Sequence, residues 1–508
     1  MQSNLIEYFE NGALKNCPNY VAVLDGEKNY SFHDIAIFSK NLSQIITNNV
    51  IENNQLVAVL LPKSTEIIVS NLAILYSGNF YTNLDVKAPK ERLEKLLSNL
   101  SPKLIITDEA GNSLLKKIDI KIKTLVDISD SMKTDKLYDQ NKINEALKTS
   151  IDVNPACIIN TSGSTGVPKS VVLNHKSTID FIDWCLDNFD FNNDDVIGSL
   201  SPFYFDIYTL ELFISLSKGC TISIINENKA AFPVELVKSL NDTKTTFIFW
   251  VPTVMVNIAN QDILSNFNLN NLRRVFFAGE VFPTKQLNYW RDKLPDTQFV
   301  NLYGPIEITV DCTYHILTRK FKDDEPIPIG IPCKNTEILI LNENNELVAD
   351  GEIGELCVRG SSLALGYYNN SEQTQKVFTQ NPLNSSFIDK IYRTGDLAYV
   401  NDYGEIMFSG RKDFQIKHMG YRIELAEIET AVMSLDIIKN SCVLYNQENK
   451  EIVLIYESQE ELVASKIRNQ LSSKIPKYMM PTKFHRIDIM PRNPNGKIDR
   501  QELKNNFL

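Results

Sequence analysis

The segment Thr161–Lys169, TSGSTGVPK, contains the residue types that bind a phosphate group. Its small residues let the backbone approach a phosphate closely, its hydroxyls add hydrogen-bond donors, and Lys169 supplies a positive charge. No G-K-[ST] ending is present, so the segment is not the P-loop of kinases and GTPases. A Ser/Thr/Gly stretch is also typical of a surface turn, and both interpretations stay open for this segment alone.

Further segments carry side chains suited to a nucleotide and its metal ion. Asn301–Glu307 (NLYGPIE) joins an aromatic ring to Gly-Pro and to a carboxylate of the kind that Mg²⁺ takes alongside phosphates. Tyr392–Asp396 (YRTGD) ends in a carboxylate that could hold ribose hydroxyls, and Ser409–Asp413 (SGRKD) contains an arginine for a charge-assisted bond. Pro494–Lys497 places a lysine on an Asn-Gly turn. Asn301–Glu307 alone is equally typical of a tight turn with a packed tyrosine. The other segments, taken singly, are more typical of a solvated turn or a solvated charge near the terminus.

Length, composition and net charge limit the classes of protein to which the chain can belong. The chain has 508 residues, which at about 150 per domain predicts two to four domains, and its 43% hydrophobic and 23% charged residues are typical of globular proteins. Lys plus Arg is 52 against 63 for Asp plus Glu, so the net charge is −11, without the basic footprint of a nucleic-acid binder. The N-terminus resembles no signal peptide, and the longest apolar stretches are too short to span a bilayer. We expect no nucleic-acid or membrane partner.

The eight cysteines are scattered and form no C-x-x-C pair. Most lie in apolar, strand-like runs, which indicates reduced, packed thiols rather than a zinc site. The expected compartment is therefore the cytoplasm.

Short runs rich in β-branched and aromatic residues recur between helix-like segments. Runs of this length predict buried strands of α/β units. Because ligands of such folds gather where loops leave the carboxyl ends of strands, the loops after these runs are candidate site positions. The runs are Val57–Leu61, Lys103–Thr107, Ala156–Asn160, Cys220–Ile225, Thr246–Val251, Arg274–Ala278 and Gln298–Leu302.

The pattern changes twice along the chain. From about residue 326 to 412, alternating stretches at Glu337–Leu341 and Gly354–Arg359 predict an antiparallel β subdomain. Residues 413–508 predict a small α+β domain. Its expected elements are a helix Glu424–Leu435, strands Ser441–Leu444 and Glu451–Tyr456, a helix Glu460–Ile475 and a strand before Pro491. The expected fold is a large N-terminal domain (1–412) of α/β sheet layers plus the antiparallel β subdomain, followed by the α+β domain.

In this order and spacing, the segments together resemble the adenylate-forming superfamily. Within it, the chain is most similar to amino-acid adenylation domains of nonribosomal peptide synthetases and to stand-alone D-alanine–carrier-protein ligases. The resemblance runs from Ser77–Asp85, with Pro89 and Arg92, to Lys497, and Gly410–Glu429 (GRKDFQIKHMGYRIELAEIE) carries much of it. It implies a ligase that forms aminoacyl-AMP from an amino acid and ATP, releases pyrophosphate, and transfers the acyl group to the phosphopantetheine thiol of a carrier protein.

The resemblance also implies roles for individual residues. The segment Thr161, Ser162, Gly163, Ser164, Thr165, Gly166 and Lys169 would hold the ATP phosphates, with Thr165 and Glu307 near Mg²⁺. Asn301 and Tyr303 would surround the adenine, Gly304 would also belong to the ATP-binding residues, and Asp396 with Arg411 would bind the ribose. Lys497 would bridge the substrate carboxylate and the α-phosphate. That role is physically reasonable, because a cation stabilises the charge that accumulates when the two anions meet.

Two conformations are implied for the C-terminal domain. Asp413 resembles the hinge about which this mobile domain rotates, withdrawing Lys497 and bringing the loop Lys417–Tyr421 to face the adenylate. Motions of this kind can limit the rate of an enzyme.

Four positions depart from the family pattern. Ile306 stands where Thr is usual, Ser170 replaces a common Gly, Asn160 replaces an aromatic residue, and Asn83 stands where Pro is common. The departures could slow turnover, but every charged position assigned above is present.

Asp206, in the segment FYFD, matches the residue that pairs with the α-ammonium of an amino acid. A buried carboxylate without a partner costs several kcal/mol, so a fatty-acid pocket would not carry one there. A helix N-cap ahead of Ile207 is the structural alternative. By position, the pocket walls would be Ile207, Leu210, Thr253, Phe276, Ala278, Leu302, Val310 and Asp311.

Asp311 is the unusual wall residue, since most of the others are apolar. It could accept a hydrogen bond from a side-chain hydroxyl or amine, which would favour serine, threonine or a short basic amino acid. It could equally point outward, with alanine as the substrate.

The acceptor is expected to be a separate carrier protein, because no carrier domain follows residue 508. Nine basic residues could steer an acidic carrier, although such a run is more often a solvated face: Lys466, Arg468, Lys474, Lys477, Lys483, Arg486, Arg492, Lys497 and Arg500. Two alternatives to amino-acid adenylation remain. These are an acyl- or aryl-CoA ligase of the same fold, and a non-catalytic nucleotide-binding protein.

Overall fold

Two large sheets form the centre of the N-terminal part in the computed structural model, which describes residues 2–118, 125–163, 168–435, 437–493 and 498–508. In spatial order, the nine-stranded sheet contains Ile331–Pro332, Thr313–Ile316, Gln298–Tyr303, Arg274–Phe277, Phe247–Trp250, Val196–Ser199, Thr221–Ile224, Val21–Asp25 and Lys28–Ser31. The seven-stranded sheet contains Gly366–Tyr367, Lys169–Asn174, Pro155–Thr161, Phe80–Asn83, Leu56–Leu60, Leu104–Thr107 and Leu125–Asp127. Interior strand pairs are parallel, and antiparallel pairs lie toward the sheet edges.

Among the sixteen α-helices of the described residues, two are packed deeply against the large sheets. Thr65–Tyr76 and Ile207–Lys218 are buried along nearly their whole length, and they share one hydrophobic cluster with strands of both sheets. A helix that is apolar all round belongs in such an interior position. The others are Ile6–Asn11, Ala13–Asn16, Phe32–Asn49, Lys90–Leu100, Glu109–Leu115, Gln140–Thr149, His175–Asn188, Pro233–Asp242, Pro252–Asn260, Thr284–Lys293, Ser371–Val377, Leu425–Met433, Ala464–Leu471 and Arg500–Phe507.

A smaller antiparallel sheet follows the two large ones. Its strands are Thr336–Leu341, Gly354–Gly360, Lys390–Val400, Phe378–Gln380 and Ile406–Arg411. Residues beyond Asp413 form a hairpin, Gln415–His418 with Tyr421–Glu424, and a three-stranded sheet of Asn440–Asn446, Glu451–Glu457 and Lys483–Ile487. Their buried side chains pack into clusters of their own, as an α+β unit requires.

The predicted fold class is confirmed, and the seven runs predicted as buried strands of α/β units each lie within one residue of their expected ends. The predicted strand Ser441–Leu444 is longer than expected, Asn440–Asn446. The predicted helix Glu460–Ile475 is too long, because the helix covers only Ala464–Leu471. Before it, the Leu462 backbone N–H donates to the Tyr456 hydroxyl at 3.2 Å, outside any helical pattern. After it, Pro476 disfavours a helical residue at position 475.

All eight cysteines are buried and free, in line with packed thiols. Over the part of the chain that the structure describes, no helix is both long and apolar enough to cross a membrane.

Candidate functional site

The Thr161–Lys169 segment connects two antiparallel strands, with Thr161 paired to Lys169 in register. Both strands are largely buried, so the sheet fixes the two ends of the connection. Ser164, Thr165 and Gly166 lie outside the described residues, as does Lys497. Their predicted roles therefore stay predictions.

Three residues of this segment, Ser162, Gly163 and Lys169, bind groups of the C-terminal unit. Lys169 Nζ lies 2.9 Å from Glu424 Oε1, with both side chains mostly buried. The Gly163 backbone N–H donates to Glu427 Oε2 at 3.1 Å. Ser162 Oγ donates to the Arg422 carbonyl at 2.6 Å and accepts from the Glu424 N–H at 3.2 Å. Carboxylates thus occupy positions that are chemically suited to phosphate oxygens.

Glu307, the expected metal ligand, is fully buried in the short turn Ile306–Ile308. Its Oε2 accepts from Arg422 at 2.7 Å and its Oε1 from the Tyr367 hydroxyl at 2.7 Å. Burial alone would raise the pKa of Glu307, but the Arg422 guanidinium and these hydrogen bonds lower it to about 2. The carboxylate is therefore ionised. It would be suited to Mg²⁺ only when Arg422 no longer binds it.

Asp396 and Arg411 face each other across two antiparallel strands. The Asp396 carboxylate accepts from Arg411 and, at 2.5 Å, from the Tyr303 hydroxyl. Arg411 also forms a two-pronged pair with Asp413, at 2.6 and 2.8 Å. The Arg411 guanidinium thus contacts both Asp396, the expected ribose ligand, and Asp413, the expected hinge. Gly395 has a φ of +73°, and a Cβ there would lie 3.1 Å from the Arg411 guanidinium, so glycine fits this turn.

Asn301 and Gly304 stabilise the backbone on either side of Tyr303. Asn301 Nδ2 donates to the Pro328 carbonyl at 2.8 Å, so that donor is already used within the protein. A Cβ on Gly304 would lie 2.4 Å from the Asp311 Cα, so only glycine permits the close return of the chain. This contact places the turn that carries Glu307 beside the strand end that carries Tyr303.

The expected walls of the amino-acid pocket belong to the largest hydrophobic cluster, except Thr253 and Asp311. Phe276 is fully buried and lies edge-on to Phe189, at 4.7 Å between ring centroids, and to Phe247, at 5.0 Å. The other apolar walls are buried too: Ile207, Leu210, Ala278, Leu302 and Val310. Their role as substrate contacts stays a prediction.

Asp206 stands directly before the helix Ile207–Lys218, where its carboxylate accepts from the Ile207 N–H at 3.0 Å. The helix-capping alternative is therefore real, but this bond uses only one oxygen of the half-buried side chain. Burial raises the pKa of Asp206 to about 6, although the Lys417 charge and the Ile207 N–H oppose the shift. Asp206 is thus harder to ionise than an exposed aspartate.

Asp311 is buried, and its Oδ2 has no hydrogen-bond partner among the described residues. Burial and the neighbouring Asp206 charge raise the pKa of Asp311 well above its usual range. Lys417 is the cation that acts on both carboxyls. The Lys417 side chain is exposed, and partial desolvation by neighbouring protein atoms lowers its pKa.

Sequence reasoning did not identify several residues that join the C-terminal unit to the core. These include Arg422, Glu424 and Glu427, whose partners lie more than 100 positions earlier in the chain. Arg92 also pairs with Glu427, and both side chains are buried. The Gly410–Glu429 segment pointed to the region, but no local pattern reveals pairs at such separations.

Much of the predicted basic surface is already paired. Lys474 contacts Glu91 at 3.2 Å, and Arg500 pairs with Glu429 at 2.5 Å. Lys483 and Arg486 likewise have acidic partners. These pairs weaken the positive field that the sequence suggested, so carrier steering by this surface stays a prediction.

Comparison with solved structures defines the class of fold. The adenylation domain AlmE of Vibrio cholerae, in complex with glycyl-adenosine-5'-phosphate, superposes with a TM-score of 0.84 at 22% identity, covering 100% of this chain and 98% of that chain. The o-succinylbenzoate CoA synthetase MenE of Bacillus subtilis superposes with a TM-score of 0.83 at 20% identity, covering 99% and 98%. The chain therefore has the fold of adenylate-forming enzymes.

Sequence comparison gives the family. Residues 9–368 match the AMP-binding enzyme family, and the chain belongs to that family. Gramicidin S synthase 2 of Brevibacillus brevis is 31% identical over 510 residues, which cover 99% of this chain and 11% of that protein. The chain thus spans about a ninth of the length of this relative.

Proposed function

We propose that the protein activates an amino acid with ATP, releases pyrophosphate, and transfers the aminoacyl group to the phosphopantetheine thiol of a carrier protein. The observation that carries this proposal is Asp206, a half-buried carboxylate beside the expected apolar walls that forms no salt bridge with any of the described residues. A carboxylate there suits the α-ammonium of an amino acid and disfavours a plain fatty acid. Membership in the AMP-binding family supports the nucleotide chemistry.

The first half-reaction joins two anions. A substrate carboxylate oxygen attacks the α-phosphorus of ATP, the bond from that phosphorus to the bridging oxygen breaks, and pyrophosphate leaves. Lys169 and the Ser162–Gly163 donors would hold the outer phosphates, while Asp396 would hold the ribose. Lys497 would place its charge where anionic charge accumulates.

Magnesium fits the donor chemistry of the site. Glu307 is a buried, ionised carboxylate in the turn next to the expected nucleotide position, and Thr165 is its expected companion. Bound there with the phosphates, Mg²⁺ would neutralise charge on them.

The second half-reaction needs the other domain position. The carrier thiol attacks the acyl carbonyl, the acyl–phosphate bond breaks, and AMP leaves. The hairpin that carries Lys417 reaches the Asp206–Asp311 region in this structure, which supports a role of the loop Lys417–Tyr421 in that step.

Amino-acid-dependent ATP–pyrophosphate exchange tests the proposal. We would measure exchange with L- and D-forms of the common amino acids, ornithine and diaminobutyrate. A strong response from one amino acid or a related group would support it. Silence with amino acids but turnover with organic acids and CoA would favour the alternative acyl- or aryl-CoA ligase, whose fold is shared by MenE. Silence with everything would favour a non-catalytic nucleotide-binding protein.

The substrate is proposed to carry a side-chain hydroxyl or amine that contacts Asp311. This carboxyl is buried and its Oδ2 has no hydrogen-bond partner within the described ranges of the chain, so a polar substrate group would satisfy it. We expect Asp311→Ala to lower the preference for serine, threonine or a short basic amino acid over alanine by about tenfold. The measurement is the ratio of kcat/KM for each of these amino acids to kcat/KM for alanine in the exchange assay. An unchanged ratio would mean that Asp311 lines the pocket without contributing to substrate selection.

Amino-acid binding should weaken in acid. The ammonium group requires ionised Asp206, whose pKa in the free protein is about 6. Lowering the pH through 6 protonates this carboxyl, so KM for the amino acid should rise about tenfold for each further unit of pH. Exchange kinetics from pH 8 to pH 5 measure this, with KM for ATP as an internal reference. A flat amino-acid KM would mean that Asp206 does not bind the ammonium.

A further inference from the structure

Glu280 uses its two carboxylate oxygens on two different parts of the protein. Oε2 accepts from the Thr253 backbone N–H at 3.1 Å and from the Thr253 hydroxyl at 2.5 Å. Oε1 accepts from the Gly420 backbone N–H at 2.8 Å. Thr253 belongs to the first turn of the helix Pro252–Asn260, whereas Gly420 lies at the hairpin turn of the C-terminal unit. One half-buried side chain therefore joins the expected amino-acid pocket to the mobile unit.

The backbone comes unusually close at this junction. Gly420 has a φ of +82°, and a Cβ on it would lie only 2.8 Å from Val251 Cγ1. Val251 directly precedes the helix whose start Glu280 caps. The bond between Glu280 and Gly420 can thus form only when the hairpin turn has reached the pocket.

Charged and titratable side chains lie close to Glu280. Lys450 Nζ lies 3.5 Å from the Thr253 hydroxyl, and the Glu280 charge acts on the nearby His418. Burial lowers the pKa of His418 despite that charge, and its Nδ1 lies 3.2 Å from the Tyr445 hydroxyl. A hydrogen bond from a backbone N–H to an ionised carboxylate is stronger than one to a neutral acceptor.

We propose that Glu280 is a positioning residue for the thiol-transfer half-reaction, holding the loop Lys417–Tyr421 against the amino-acid pocket. It does not touch the reacting groups; it acts through Gly420 on one side and Thr253 on the other. The Thr253 hydroxyl consequently donates its hydrogen bond to Glu280 and is not available to donate one to the substrate. This inference rests on the proposed function, since it concerns the second half of that reaction.

The test compares Glu280→Ala and Glu280→Gln with the wild-type protein in three assays. ATP–pyrophosphate exchange follows the first half-reaction, and transfer to free D-pantetheine follows the second. The rate of tryptic cleavage after Arg422 follows docking of the hairpin without any substrate, because Arg422 is held in its pair with Glu307. Glu235→Ala is the matched control, since Glu235 is an exposed glutamate on the helix Pro233–Asp242.

For Glu280→Ala we expect transfer to fall at least fivefold more than exchange, and cleavage after Arg422 to become several-fold faster. Glu280→Gln should be intermediate, because its amide keeps one acceptor oxygen. Equal loss in both half-reactions, or an unchanged cleavage rate, would overturn the inference. If the wild-type protein shows no exchange with any acid, the proposed function fails, whereas the cleavage rates still decide whether Glu280 holds the hairpin.

Discussion

Asp206→Asn is expected to lower kcat/KM for the amino acid about 150- to 5,000-fold in the exchange assay. Removing one partner of a desolvated ion pair typically costs about 3 to 5 kcal/mol, because the remaining charge is left unpaired. Here the unpaired group would be the substrate ammonium. Asparagine has the same shape and can still accept from the Ile207 N–H, so the start of the helix should be preserved.

Asp311→Asn is the matched control for this prediction. It removes a second buried carboxyl whose charge and protonation are linked to those of Asp206. We expect it to change the ranking of amino acids but not their general requirement for an α-ammonium. Thermal unfolding of both variants would show whether each remains folded. Full exchange activity in Asp206→Asn would refute the assignment of the ammonium site, and with it the main argument for an amino-acid substrate.

Much of the fold could be predicted because its signals are local. The interior strands are short apolar runs, such as Phe247–Trp250, and their burial on both faces produces that pattern directly. The pairing of Val21–Asp25 with Thr221–Ile224 could not be predicted, since it joins residues about 200 positions apart. Likewise, the helix Ala464–Leu471 begins after Leu462, whose N–H donates to the Tyr456 hydroxyl, and the apolar pattern does not show this side-chain contact.

Two of the departures from the family pattern show why residue types alone mislead. Asn160 and Ser170 each replace a common residue, and they face each other in register. Ser170 Oγ donates to Asn160 Oδ1 at 2.7 Å, and Asn160 Nδ2 donates to Thr82 at 2.9 Å. The two polar side chains satisfy each other, so the strands that carry the Thr161–Lys169 segment remain paired. Considered singly, either substitution would look damaging.

The candidate site was predictable as a set of segments but not as a set of contacts. Asp396 and Arg411 were expected near the ribose, and the structure adds that Arg411 also holds Asp413. The pairs of Arg422 with Glu307 and of Glu424 with Lys169 depend on where the C-terminal unit lies. An orientation between two units leaves no periodic signal in either of them.

These contacts indicate competition between the C-terminal unit and the nucleotide phosphates. In the described orientation, Lys169 and the Gly163 N–H are bound by Glu424 and Glu427, and Ser162 is bound by the same hairpin. The same donors would be needed by the outer phosphates of ATP. Since one donor set cannot fully serve both, ATP binding should displace the hairpin, and the hairpin should return only after pyrophosphate has left.

Lys169→Met is therefore expected to lower kcat/KM for ATP about 100-fold. Methionine keeps the length and apolar stem of the side chain but removes the charge, and a cation on phosphate oxygens typically contributes about 3 kcal/mol. An ATP titration of pyrophosphate exchange at saturating amino acid measures this effect. Weak dependence on Lys169 would mean that other groups bind the phosphates.

Glu424→Gln separates the two uses of Lys169. The change removes the acid that holds Lys169 in the described orientation, at 2.9 Å, without removing a group that the nucleotide would need. KM for ATP should therefore stay the same or fall, while transfer to D-pantetheine should slow because the docked orientation loses an ion pair of low exposure. If Glu424→Gln instead raised KM for ATP as much as Lys169→Met, Glu424 would support the shape of the phosphate segment. Competition with the nucleotide would then be excluded.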